Sequence, residues 1–400
     1  MKLLVYSHVF PPSIGGVETI VRVLAAGLAS RGVDVTVATP TPAGPMNDSE
    51  FGFTVVRLSG RWQLVHLIRE ADVIHLAGPA LAPLALGLLL RKPVVVEHHG
   101  YQSACPNGLL FFEPTGAVCP GHFQAAQHRE CLRCNARQGY WRSLRMWALT
   151  FPRRWLCRKV AANIAISLHA ARRTALPHSM LIYHGIADPA EAGAGPRGNS
   201  GQPGQACFAY VGRMVSIKGV PVLIRAAAQL KRSGRSFRLL FVGAGPERES
   251  LERMARESGL GDCATFAGAL TGGALARAVE DASSLVMPSI WEELFGLAAI
   301  EQMMRGKTLI VSDIGGLAEV VGDAALKFPP GDSQQLTACM QSVIDAPDTA
   351  NKLAADARRR ALTLFAETTM IDNHLRLYRS LCEPDNRRAR GEGLGREPQP

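Results

Sequence analysis

Two glutamates eight residues apart, Glu293 and Glu301, bracket Leu294-Phe295-Gly296-Leu297, and Arg213 and Lys218 stand five residues apart near another glycine, Gly219. The apolar positions Phe295, Leu297, Ile300, Met303 and Met304 recur at near-helical spacing, so a helix is predicted to start near Phe295 or Gly296 and to run to Arg305. The start of a helix offers unpaired N–H groups and the positive end of a dipole, which suits a diphosphate, and Gly296 lets it come close to the backbone. Glu293, in the loop ahead, could then orient sugar hydroxyls, and Glu301, in the second turn, could accept both hydrogen bonds of a vicinal diol such as ribose. Arg213 supplies a planar fork and Lys218 a mobile point charge, so a diphosphate can be held from two sides. On spacing alone, two solvated carboxylates favoured by the helix dipole explain the glutamate pair about as well.

Other residues carry different chemistry. His98 and His99 follow a predicted strand, Pro93 to Glu97. Cys105, Cys119, Cys131 and Cys134 fall within thirty residues and end in a C-x2-C knuckle. Four thiols can close a tetrahedral zinc site, with His122 as a substitute ligand; buried reduced thiols or two disulfides are the alternatives. Nine cysteines without a secretory signal favour thiols or a metal over a disulfide framework. Further on, Trp141, Trp147, Phe151 and Trp155 are interleaved with Arg142, Arg145, Arg153 and Arg154. This pattern suits the headgroup layer of an anionic membrane, or a core-packing helix with a charged outer face.

The elements that must position these groups alternate. Strands are predicted at Met1 to Tyr6, Asp34 to Ala38, Phe53 to Leu58, Asp72 to Leu76, Pro93 to Glu97, Ala162 to Ser167 and Met180 to Tyr183. A second series follows at Cys207 to Val211, Arg238 to Val242, Ala282 to Met287 and Lys307 to Ser312. Amphipathic helices are predicted at Val17 to Ser30, Val220 to Lys231, Glu247 to Ser258 and Met370 to Leu381. Alternation of this kind favours parallel, doubly wound sheets with ligands beyond the C-terminal strand ends. The glycine turns Gly15-Gly16 and Gly243-Ala244-Gly245 each open a helix there. Four hundred residues suit two such α/β domains. No apolar run reaches the roughly 18 residues of a spanning helix, and the N-terminus reads as a strand instead of a signal peptide, so a cytoplasmic protein is expected.

The net charge of +10 is concentrated in the first half, where residues 1–200 hold 20 Lys and Arg against 11 Asp and Glu. No carboxylate occurs between Glu130 and Asp188, a window with ten basic residues. Such a surface suits phospholipid, a lipid-linked diphosphate or nucleic acid, and no recognised base-reading module supports the last.

The segment from Pro288 to Gly306 resembles the Glu-x7-Glu signature of retaining glycosyltransferases of family 4, with Leu294, Gln302 and Met304 as departures from the usual pattern. Gly212-Arg213 with Lys218-Gly219 matches the same family's Gly-Arg, Lys-Gly motif, and Gly15-Gly16 falls where its donor-facing glycine pair is expected. His99-Gly100-Tyr101 with Cys105-Pro106-Asn107-Gly108-Leu109 resembles a cysteine-containing subgroup. The resemblance covers nearly the whole chain. It implies a GT-B fold, two Rossmann-like domains facing each other across a cleft. Residues 1–187 would form the acceptor domain with a cysteine-rich insertion at 100–137; 188–205 a flexible linker; 206–366 the nucleotide-sugar domain; 367–382 a helix crossing back; and 383–400 a disordered tail.

The implied reaction is retaining, metal-independent transfer of a sugar from a nucleoside diphosphate sugar to a glycan acceptor, with no catalytic cofactor. His99, Arg213, Lys218 and Glu293 would be catalytic, and Gly15, Gly16, Gly243, Gly245, Phe295, Gly296, Leu297 and Glu301 would bind donor. The basic, aromatic first half extends this to a lipid-linked acceptor at the inner face of the cell membrane during cell-surface polysaccharide assembly. A nucleotide-sugar epimerase of similar architecture is the chief rival, followed by an anionic-polymer-binding protein.

Overall fold

The computed structural model describes residues 1–58, 60–192 and 205–383. Its strands are β1 (Lys2–Ser7), β2 (Asp34–Thr39), β3 (Thr54–Arg57), β4 (Val73–Ala77), β5 (Val94–His98), a short hairpin of β6 (Phe111–Phe112) and β7 (Ala117–Val118), β8 (Ala162–Ala165) and β9 (Ser179–Leu181). There follow β10 (Ala206–Val211), β11 (Phe237–Val242), β12 (Ala264–Gly268), β13 (Ser284–Met287), β14 (Thr308–Ser312) and β15 (Leu326–Phe328). Seven form one parallel sheet in the order β3-β2-β1-β4-β5-β8-β9, and six form a second in the order β12-β11-β10-β13-β14-β15. Both orders reverse beside their first strand, the topological switch point of doubly wound sheets. Parallel strands covered on both faces read as continuous apolar runs, and β5 and β14 are buried at every position.

The chain separates into two compact units. The first contains residues 1–108 and 121–185 together with the C-terminal helix Glu367–Cys382; the second contains 109–120 and 186–366. The β6–β7 hairpin, part of the expected cysteine-rich insertion, therefore groups with the second unit. Of the expected linker, Asp188 is ion-paired to Arg358 at 2.8 Å, and residues 193–204 lie outside the described residues, as does the expected tail beyond Glu383.

In the second unit the helix Val220–Arg232 buries Val222, Leu223, Ile224, Ala227 and Leu230 against the sheet. Each such aliphatic side chain larger than alanine contributes about 1.5–3 kcal/mol. Phe241 and Phe266 stack across β11 and β12 at 4.4 Å.

In the first unit the helix Gly16–Ala29 packs on Glu367–Cys382 through Gly27, where an added Cβ would meet Ile371 Cδ1 at 2.1 Å. The missing side chain lets Ile371 fill the space. Gly27→Ala should therefore destabilise the first unit by about 1–3 kcal/mol through overpacking. Adding Gly27→Ala to an Ile371→Ala background should cost far less, and a urea double-mutant cycle that is additive would reject this contact.

Candidate active site

Glu293 is 6% exposed and lies in the loop between β13 and the helix Leu297–Met304. Its Oε1 accepts from the Ser289 hydroxyl and from Lys218 Nζ at 2.9 Å, and Lys218 also stands 5.9 Å from the centre of the Trp291 ring. The loop is tied down by its neighbours. Ile290 N donates to Ile217 O at 3.0 Å, and Gly316 N donates to Glu293 O at 2.6 Å. Gly219 makes this possible: its φ is +66°, and a Cβ there would meet Pro288 O at 1.9 Å. Two loops from different strand ends thus bring Lys218 and Glu293 together. A cavity of about 540 Å³ borders the same turn, lined by Ser216, Gly219, Arg225, Ile290 and the β7 hairpin strand.

Arg213 is exposed at the end of β10, and the Tyr210 hydroxyl fixes its turn by donating to Arg213 O at 2.6 Å. Burial, followed by the nearby Glu293 and Glu247 carboxylates, holds the Tyr210 phenol above its ordinary range, so it remains a donor. Gly243 and Gly245 face this turn, where a Cβ would meet Gly212 O at 1.9 Å and Met214 O at 2.2 Å respectively. Gly296 caps the helix Leu297–Met304 with φ +107°, a left-handed conformation that favours glycine. Phe295 turns inward against Phe365, with rings 5.6 Å apart, while Leu297 is half-buried. Glu301 lies in this helix, and burial raises its carboxyl above the usual range despite Arg305 one turn on.

In the first unit, strand alternation separates the two histidines. His98 is buried and its Nε2 lies 2.9 Å from Asn163 Oδ1 on β8; burial pushes its pKa down to about 4. His99 instead shares its side with Glu97, with Nε2 and Oε2 3.2 Å apart, and its ring lies 5.1 Å from that of His184. Gly15 and Gly16 open the helix Gly16–Ala29, and Glu18, absent from the sequence expectation, folds back over them. The Ser13 hydroxyl donates to Glu18 at 2.8 Å. This glycine turn therefore carries a carboxylate of its own.

All four expected zinc cysteines are buried. Asn107 connects two of them, with Oδ1 accepting from Cys105 at 3.0 Å and Nδ2 donating to Cys134 at 3.7 Å. The helix Tyr140–Cys157 divides its arginines. Arg153 donates to Pro79 O, and Arg154 to Thr174 O at 2.9 Å, so both are structural props of the first unit and do not belong to an outer basic face. Trp141, Arg142, Arg145, Trp155 and Arg158 are exposed.

Residues 14–186 match the family profile "Glycosyltransferase Family 4", and residues 197–360 match "Glycosyl transferases group 1". The chain belongs to the family 4 glycosyltransferases. This glycosyltransferase is 32% identical over 202 residues to a 2-deoxystreptamine glucosyltransferase of Streptomyces kanamyceticus, a match covering 48% of this chain and 51% of that protein. It is 28% identical to a Mycobacterium tuberculosis glycogen synthase, over 100% of this chain and 97% of the other. Its fold is similar to Anabaena HepE in complex with UDP and glucose, with TM-score 0.70 and 18% identity over 95% of this chain and 100% of that one. The fold is GT-B.

Removing Lys218 from this glycosyltransferase would leave the Glu293 carboxylate buried with the Ser289 hydroxyl but without its cation. Lys218→Ala should lower the unfolding free energy of the second unit by about 1–3 kcal/mol. Lys218→Ala combined with Glu293→Gln should regain part of that loss. Urea unfolding in which the single variant matches wild type would reject the ion pair.

Proposed function

We propose that this glycosyltransferase moves a sugar from a nucleoside diphosphate sugar to a glycan acceptor with retention of anomeric configuration. The observation that carries this reading is the Lys218–Glu293 pair, held by glycine turns at the C-terminal ends of β10 and β13. The UDP and glucose bound in HepE supply the donor class. In the reaction the bond from the anomeric carbon to the diphosphate oxygen breaks and a bond to the acceptor oxygen forms on the same face. The acceptor proton passes to the departing phosphate.

Arg213 and Lys218 neutralise the charge that grows on the diphosphate and take the place of a divalent cation. Once the donor draws Lys218 toward phosphate, Glu293 is released to accept hydrogen bonds from the sugar hydroxyls. Glu301 receives the ribose diol; its raised pKa reflects desolvation that two hydroxyl donors would offset. His99 contacts the donor sugar, with Glu97 holding its ring. A structural zinc on Cys105, Cys119, Cys131 and Cys134 is part of the same proposal, supported by the burial of the four side chains and the Asn107 link between two of them.

The acceptor is lipid-linked in this reading. Trp141, Arg145 and Trp155 lie at spacings of four and ten on one side of the helix Tyr140–Cys157, and the two tryptophans are 77% and 61% exposed. Among the described residues no helix is long and apolar enough to cross a membrane. An exposed aromatic and basic face offers peripheral docking instead, each basic residue adding about 1 kcal/mol on an anionic surface.

Arg213→Ala and Lys218→Ala should each lower kcat/KM with a cognate nucleotide sugar by about 10²–10³. Proton NMR of the product should show the donor's anomeric configuration; inversion would refute the mechanism, and conversion of donor alone to an isomer would favour an epimerase. In liposome flotation the wild-type protein should bind anionic but not neutral vesicles, and Trp141→Ala with Trp155→Ala and Arg145→Glu should abolish this. A protein that floats with neither vesicle type at low salt indicates a soluble acceptor.

A further inference from the structure

Glu97 on β5 is fully buried and is surrounded by imidazoles from four parts of the first unit. On one side are His75 from β4 and His374 from the C-terminal helix, both also fully buried. His75 Nε2 is 3.3 Å from Glu97 Oε2, and His374 Nε2 is 3.6 Å from Glu97 Oε1. These contacts are longer than the roughly 2.7–2.9 Å of charge-assisted hydrogen bonds. None of these four atoms has a hydrogen-bond partner. Among the described residues, Glu97 has no lysine or arginine as an ion-pair partner. An isolated carboxylate in such a place costs several kcal/mol.

The outer ring nitrogens are occupied. His374 Nδ1 lies 2.9 Å from Met370 O, and a carbonyl can only accept, so this nitrogen carries the proton. In a neutral ring, His374 Nε2 is then a lone pair facing a carboxylate. His75 Nδ1 lies 2.8 Å from the Tyr378 hydroxyl, which can accept its proton in the same way. An oxygen bonded to the outer nitrogen, with the inner nitrogen facing a carboxylate, is the arrangement of a metal-ligating histidine. The ligand atoms of His75, Glu97 and His374 lie within 4.8 Å of one another. The 3.3 Å between His75 Nε2 and Glu97 Oε2 matches the edge of a tetrahedron whose bonds are about 2.0–2.1 Å, roughly 3.3–3.4 Å, and His374 Nε2 stands 3.6 Å from the other carboxylate oxygen.

We propose that His75, Glu97 and His374 bind a zinc-class divalent cation that fastens the C-terminal helix to β4 and β5. The proposal is independent of glycosyl transfer. On the other side of Glu97 stand His99 and His184, at 3.2 and 3.4 Å, so the ion would fix the carboxylate that holds His99. Because the triad is inaccessible to solvent, the ion is incorporated as the unit folds.

The test uses the full chain expressed in zinc- or cobalt-replete medium without chelator, followed by elemental analysis and X-ray absorption of the bound metal. Cys134→Ser separates this ion from any metal on the thiols. Cys134→Ser should retain one equivalent per chain with nitrogen and oxygen scatterers, and its cobalt form should show visible d–d bands without sulfur-to-metal charge transfer; wild type should hold that equivalent in addition to any metal on the thiols. His374→Ala should lose that equivalent. Tyr378→Phe, which preserves the ring, should retain the fold and weaken zinc affinity about tenfold or more in chelator competition. Wild-type protein with no metal, or with only sulfur-bound metal, would overturn the proposal even if His374→Ala failed to fold. So would an unchanged metal content in a folded His374→Ala protein, or an unchanged affinity in Tyr378→Phe.

Discussion

Glu97 and Glu293 each lose nearly all contact with water, and a carboxylate so placed must be given positive or donating partners. The two units answer this differently. In the second, Glu293 has a lysine and a hydroxyl, and its loop is held by backbone bonds to turns after β10 and β14. Such a pair is not sealed, because the Lys218 side chain is still partly exposed. In the first unit the charge of Glu97 is enclosed by rings from β4, the β5 end, the segment before the unit boundary at 185, and the C-terminal helix. That arrangement is suited to permanence. One carboxylate keeps a partner that reaches solvent, and the other is closed in on every side.

Close backbone approach is the second requirement of the loops that carry Lys218 and Glu293. Gly219 lies against Pro288 O, and Gly316 lies where a Cβ would meet Leu294 O at 2.0 Å. Any side chain at either position would push apart the segments that hold Lys218 and Glu293. The parallel sheet supplies the ends of its strands, but glycine lets the loops from those ends touch.

Much of this was legible because it is local. Strand and helix positions followed from apolar runs and periodicity, and their ends differ from expectation by one to three residues where caps and frayed turns decide. The helix after Glu293 begins at Leu297 with Gly296 as its cap, close to the expected start. The motif spacing pointed to Lys218 and Glu293 together. What was not legible is convergence between distant segments. His75 and Tyr378 are 303 positions apart, and nothing in the spacing of either announces that they touch. Arg153 and Arg154 looked like members of a basic surface because composition does not reveal which carbonyls a guanidinium can reach; both turned inward to Pro79 and Thr174. Glu18 sits in the first turn of its helix, and only its contact with Ser13 identifies it as part of the glycine turn. The three-residue β15 is too short for its alternation to stand out.

The placement of the last described helix also sets an order of events during synthesis. Residues 109–120 and 186–366, which make up the second unit, have all been translated before Glu367–Cys382 is made. The first unit, although it contains the N-terminus, lacks Ile371 against Gly27 and the His374 and Tyr378 rings until that helix leaves the ribosome. The domain begun first is therefore finished last. Until then the surface that this helix covers has no native partner, and exposed apolar surface of that kind is prone to association.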